Sequence, residues 1–233
     1  MNVYYQNKKA SFLEPPPLAE WSSIDNIYDP MLKLRADFRK EEKKVTIAGV
    51  YDNFISVNSL CIGYTNATEY KLTTPEGTFA GIIKGEITIH DFDEIEIDSF
   101  TLELEGSGPL YLGHLFVGQK TVLPRFAVEP ETGITLNSKA SWSFGGQVFG
   151  MKRITLESFG ASFPRLTSDE YKLLKEYVKA VQNIEPHIID PYPGAREESP
   201  PMYATLNLNE VSLPKRNEDG FYYGGHLTWQ EAR

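Results

Sequence analysis

The stretch Asp93–Gly106, DEIEIDSFTLELEG, alternates acidic or hydroxyl side chains with apolar ones at a period of two. Ile95 and Ile97 share one parity, and Phe100, Leu102 and Leu104 share the other after a phase shift. An amphipathic helix cannot carry that pattern. It describes a strand with one face on a core and the other, bearing Glu94, Glu96 and Asp98, in water. The same grammar recurs nearby in VTIAGV (Val45, Ile47 and Gly49 on one parity), FISVNSLCIGY, GIIKGEITIH and LYLGHLFVGQ, the last two broken by a glycine. Short strands at roughly ten-residue spacing, with Gly, Pro and Asn turns between them, predict a sandwich or jelly roll over residues 20–122.

The flanks read differently. Residues 1–19 contain Pro15, Pro16 and Pro17 and predict an extended N-terminal arm. After residue 122, ITLNSKASWSF and QVFGMKRITLESFGASF flank Gly145-Gly146, a pair that accepts the positive φ of a tight hairpin turn. The outgoing strand changes apolar phase between Leu156 and Phe159, which predicts a bulge near Ser158. Thr167 and Glu170 form a capping box, and Tyr171, Leu174, Tyr177, Val178 and Val181 follow at helical spacing, so a helix is predicted over Ser168–Val181. EPHIIDPYPGAREESPP reads as a proline-rich loop, and MYATLNLNEVSL and GFYYGGHLTWQEA read as two closing strands. Residues 123–233 thus form a second, mainly β domain with one helix.

Candidate chemistry is sparse. His90, His114, His187 and His226 lack any metal-ligand spacing, and Cys61, the single cysteine, sits in an apolar strand. No GxSxG elbow, P-loop or dinucleotide fingerprint is present. A non-enzymatic protein without cofactors is expected. Asp91, Asp93 and Glu94 are the one calcium candidate, set against the plainer reading of a solvated acidic face. Trp21, Tyr28, Tyr51, Tyr64 and Tyr70 are aromatics that loops of a sandwich could offer to a sugar. Of these, Trp21, Tyr28, Tyr51 and Tyr64 are the candidate glycan contacts. A formal net charge of −9 argues against gripping nucleic acid. No apolar run approaches the roughly 20 residues of a membrane span, and the N-terminus lacks the features of a signal peptide. A soluble protein made in a cytoplasm is the expectation.

Two resemblances sharpen this. NIYDPMLKLRADFR, the strands after it and GPLYLGHLFVGQKTVLPRF resemble the galactose-binding-like, discoidin-type β-sandwich. That region together with SFGGQVFGMKRITLESFGASFPRLTSDEYKLLKEYV and YYGGHLTWQEAR is similar to tail-tip and baseplate (distal-tail-like) structural proteins of long-tailed bacteriophages and prophages. The second resemblance implies a virion protein with no catalytic residues. Its second domain would be tail-tube-like, and it would assemble into a homo-oligomeric ring among other tail proteins, with the sandwich facing outward. The hairpin Ala140–Phe163 would extend sheets between protomers through Trp142, Phe144, Gly145, Gly146, Phe149 and Phe159. Its plainer alternative is to complete its own core. The alternative function is a carbohydrate-binding adhesin contacting a host surface glycan through the sandwich loops.

Overall fold

In a computed structural model the chain is mainly β, with antiparallel sheets and one α-helix among the described residues. The structure describes all residues except 6–8, 14–15, 21, 29–34, 40–41, 128–130, 137–138, 143–147, 152–154, 182–184, 208–210 and 233. Two compact units emerge. The first comprises Asn2–Thr121 and Asp190–Pro201, and the second comprises Met1, Val122–Ile189 and Met202–Arg233. The start of the chain and much of the proline-rich loop therefore belong to the first unit.

The strands of the first part of the chain are β1 (Asn2–Tyr4), β2 (Ser11–Phe12), β3 (Ala36–Asp37), β4 (Lys44–Thr65), β5 (Glu69–Thr74), β6 (Gly77–Ile82), β7 (Ile87–Glu105), β8 (Tyr111–Gly118) and β9 (Thr121–Val122). A 3-10 turn, Ile24–Tyr28, precedes β3. The main sheet runs β3-β8-β4-β7-β5-β6, with β2 pairing β4. VTIAGV and FISVNSLCIGY thus form one strand of 22 residues rather than two. Its pairing with β7 slips between Val50 and Ile55 and again between Val57 and Ser59. The first slip lies opposite Ile97–Ser99, the place where the apolar phase of β7 shifts. Such irregularities bend a sheet, and here they let one hydrogen-bonded sheet wrap a core of Val45, Ile47, Ile62, Leu72, Ile97, Leu102, Leu104 and Leu115. Glu94 and Glu96 are exposed, as the alternation requires. GIIKGEITIH is not one strand: β6 ends at Ile82, and a turn with Gly85 at φ +71° leads into β7.

The later elements are β10 (Glu131–Leu136), β11 (Lys139–Trp142), β12 (Val148–Met151), β13 (Thr155–Phe163), α1 (Ser168–Val181), β14 (His187–Asp190), β15 (Met202–Leu206), β16 (Lys215–Arg216), β17 (Tyr222–Tyr223) and β18 (Gly225–Glu231). The second unit's sheet includes β10-β13-β18-β15-β14 in that order. β11 and β12 pair with Lys139 opposite Met151 and Trp142 opposite Val148, a register centred on Gly145. The tip with Phe144, Gly145 and Gly146 lies outside the described residues. β12 and β13 lie on either side of residues 152–154, which are outside the described residues, and the predicted bulge at Ser158 is corrected. β13 pairs β10 and β18 without a register shift. Phe159, Ala161 and Phe163 face the core, while Leu156 lies on the other parity, half-buried beyond the end of the β18 pairing. The closing segment is also two strands: β17 pairs β16, and β18 enters the sheet.

Helix α1 begins where the capping box sets it. The Thr167 N–H donates to Glu170 Oε2 at 2.8 Å, and the Glu170 N–H donates to Thr167 Oγ1 at 3.3 Å. Leu174, Tyr177 and Val181 are its buried face. The HII of the proline-rich loop is strand, because His187 supplies the polar centre of this core. Its Nδ1–H donates to Glu185 O at 3.0 Å, leaving Nε2 to accept from the Tyr177 hydroxyl at 2.6 Å. That hydroxyl in turn accepts from Trp229 Nε1–H at 2.7 Å.

Candidate functional site

Three strand ends meet at one pole of the first unit: the end of β4, the start of β7 and the start of β8. Antiparallel pairing puts them side by side, with Gly63 opposite both Ile87 and His114. They leave an open recess of about 330 Å³ lined by Arg35, Tyr64, Thr65, Gly85, Glu86, Tyr111 and Gly113.

Each wall has a local cause. Tyr64 adopts φ +53°, the only positive φ of a non-glycine residue among those described. A bulky side chain in that region is strained by roughly 1–3 kcal/mol, and such strain concentrates at binding and catalytic sites. Its backbone is fixed on both sides: the Tyr64 N–H donates to Glu86 O at 2.7 Å, and the Thr65 hydroxyl donates to Tyr111 O at 2.5 Å. Gly113 sits against it, where a Cβ would come within 2.8 Å of the Tyr64 Cβ. Across the recess, the turn before β7 is stapled by Thr88, whose hydroxyl accepts from Lys84 N–H at 2.8 Å and donates to Lys84 O at 3.0 Å.

Arg35 closes the third side. Its guanidinium lies 4.0 Å from the centre of the Tyr111 ring, and its Nε–H donates to Asp37 Oδ1 at 2.8 Å. Its own carbonyl accepts from Ser22 Oγ–H at 3.3 Å and Asn26 Nδ2–H at 3.0 Å, which ties the 3-10 turn to the recess. A stacked guanidinium keeps its in-plane N–H donors for a ligand edge. The recess thus combines two tyrosines, a guanidinium and a carboxylate in a water-accessible concavity. That set can pack the apolar face of a small polyol while exchanging hydrogen bonds with its hydroxyl edge.

Of the aromatics read as glycan contacts, only Tyr64 lines this recess among the described residues. Tyr51 is corrected: it is 7% exposed, packs on Phe100, and its hydroxyl donates to Val117 O at 3.4 Å. Tyr28 stacks on Phe12, accepts from Ala10 N–H at 3.4 Å, and burial pushes its hydroxyl pKa up to about 12. Tyr70 is buried with its hydroxyl 2.5 Å from His90 Nδ1. Trp21 lies outside the described residues. Arg35, Glu86 and Tyr111 escape the sequence reading because nothing local marks them. Gly85 and Gly113, at strand ends beside Lys84 and His114, are the signals that point there.

The calcium candidate does not assemble. Asp91 Oδ2 accepts from Arg196 Nη2 at 2.8 Å, and its Oδ1 accepts from Ser59 at 2.8 Å and lies 3.2 Å from Lys120 Nζ. Burial alone would raise its pKa, but these bonds outweigh burial and hold it below the usual range. Glu94 instead accepts from the Ser56 hydroxyl, and Asp93 is exposed. Among the described residues no three His, Cys, Asp or Glu side chains gather as a metal site requires. Cys61 is buried, and burial pushes its thiol up. Of the hairpin residues, Trp142 and Phe149 lie on paired strands, and Phe159 is buried against Phe126 and Trp229 inside its own unit.

No family model matches the chain, and no curated protein does. Among solved structures, a Bacteroides thetaiotaomicron protein assigned as an α-L-fucosidase is similar at 15% identity and TM-score 0.43, over 50% of this chain and 29% of that one. The chain therefore spans under a third of that protein's length. Chitosan-binding module 1 of a Paenibacillus sp. IK-5 chitosanase/glucanase is similar at 11% identity and TM-score 0.42, over 49% of this chain and 98% of the module. The family 32 carbohydrate-binding module of Clostridium perfringens NanJ, in complex with galactose, is similar at 11% identity and TM-score 0.39, over 52% of this chain and all of the module.

Proposed function

We propose that the first unit is a non-catalytic carbohydrate-binding module whose ligand enters the recess between Tyr64, Tyr111, Arg35 and Glu86. One observation carries this reading. Tyr64 is held in a strained left-handed conformation by Gly113 and the Glu86 carbonyl, at the rim of a concavity that also offers a stacked arginine. A ligand that packs on the Tyr64 ring would account for a strained tyrosine at the rim of a concavity. Arg35 is balanced by Asp37 at 2.8 Å, so the recess holds no unbalanced cation to favour anionic sugars. Neutral and amino sugars suit it better.

The test is a glycan-array screen of the intact protein beside Tyr64→Ala and Tyr111→Ala. Binding to a limited set of glycans, lost in both variants while their circular dichroism stays unchanged, supports the reading. Binding that survives both substitutions places the ligand elsewhere and removes it.

A further inference from the structure

Strand β6 ends its sheet, and among the described residues nothing pairs with its outer edge. The Ile83 N–H donates to Thr68 O at 2.8 Å, so the polar groups of Ile83 point toward β5. By alternation along the strand, the N–H and C=O groups of Thr78, Ala80 and Ile82 point outward. An edge of this kind recruits another strand unless a proline, a charge or a bulge blunts it. Gly77–Ile82, GTFAGI, contains none of these and leaves Ile82 65% exposed.

The residues around this edge show what it accepts. EGTFAGIIK, residues 76–84, is self-complementary about Ala80 when laid antiparallel on itself. Thr78 then faces Ile82 of the second copy, Ala80 faces its own equivalent, and about six backbone hydrogen bonds form between outward-pointing groups. Phe79, whose ring stacks at 4.2 Å on Phe92, faces Gly81, so the large residue meets the smallest one. Just beyond each end of the paired strands, the turn residue Glu76 of one copy comes near Lys84 of the other, which follows β6. Both are exposed, and neither has an ion-pair partner among the described residues. Opposite charges at the ends of a strand pair favour pairing, and like charges oppose it.

We infer that β6 is a homodimerisation edge. Two copies of the chain join their sheets antiparallel about Ala80, with Glu76 of each paired to Lys84 of the other. This stands independently of the proposed sugar recess: none of its lining residues takes part, and Lys84 meets its wall only through its backbone bonds to Thr88.

Sedimentation equilibrium of the full chain from micromolar to millimolar concentration tests it, with Glu76→Lys, Lys84→Glu and the double exchange. Wild type is expected to dimerise. Each single reversal should weaken the dimer by roughly ten-fold, because it replaces two attractive contacts at the strand ends with two repulsive ones, and the double exchange should restore it. Amide hydrogen exchange supplies a second readout, with Thr78, Ala80 and Ile82 gaining protection as concentration rises. A wild type that stays monomeric throughout overturns the inference. So does an assembly indifferent to the single reversals, or one that protects amides elsewhere and leaves these three unchanged.

Discussion

Gly113 and Tyr64 are fitted to each other: a Cβ on Gly113 would lie 2.8 Å from the Tyr64 Cβ and 3.1 Å from its carbonyl oxygen. Real side chains do not tolerate the first distance, so Gly113→Ala must push Tyr64 out of place. The expected cost is about 1–3 kcal/mol of stability, typical of overpacking, together with loss of sugar binding. Urea denaturation and a binding titration on the same sample check both. An alanine variant that binds like wild type would separate Tyr64 from the site.

Tyr64→Gly makes the complementary case. Glycine relieves the positive φ, and the unfolded chain gains freedom, so the two effects oppose each other. Stability is expected to stay within about 1 kcal/mol of wild type, while binding is abolished. A large fall in melting temperature would mean that Tyr64 serves the fold rather than a ligand.

Arg196 ties the segment Asp190–Pro201 to the rest of the first unit. Its Nη2 lies 2.7 Å from Asp190 Oδ2 and 2.8 Å from Asp91 Oδ2, and the Asp190 side chain is fully buried. Oδ1 of Asp190 has no hydrogen-bond partner among the described atoms, and burial raises its pKa despite Arg196. Arg196→Met would strand that carboxylate and is expected to cost about 3 kcal/mol. Adding Asp190→Asn should recover most of the loss, since the uncompensated charge goes with it. Denaturant midpoints of the single and double variants decide this.

His114 and His187 are both buried, and burial lowers each pKa to about 4 from an ordinary value near 6.5. The unfolded chain therefore takes up protons at a higher pH than the folded one. Stability is complete above about pH 6.5 and falls as pH drops toward 4, by on the order of 3 kcal/mol per histidine over the whole range. Denaturation at pH 7 and at pH 4.5 measures it. Equal stability at the two pH values would show that neither histidine is held neutral by the fold.

The sequence shows the elements whose pattern is local. Period-two alternation marks β7, and Thr167 with Glu170 marks the start of α1, because a cap and an amphipathic stripe are written within a few residues. It misses what is decided by contact at a distance. β4 reads as two strands because the bend near Asp52 is imposed by pairing with β7. The apolar shift at Leu156 reads as a bulge, although β13 keeps its register by pairing with both β10 and β18. The HII of β14 hides in a proline-rich stretch because His187 becomes a core residue only through Tyr177. Tyr64 is legible as a candidate aromatic near a strand end, but Arg35, Glu86 and Tyr111 join it only once three strand ends converge. The assembly role expected of the Ala140–Phe163 hairpin rests largely on a tip outside the described residues, whereas Phe159 packs into the second unit's own core.

Whether the recess takes up a sugar decides the function proposed for the first unit. The most direct measurement is amide chemical-shift mapping of the labelled full chain, titrated with separate neutral, amino and acidic monosaccharides to millimolar concentration. Saturable shifts from a neutral or amino sugar are expected, centred on Tyr64, Thr65, Gly85, Glu86, Tyr111 and Gly113. No shifts with any sugar, or shifts centred on another surface, would contradict it.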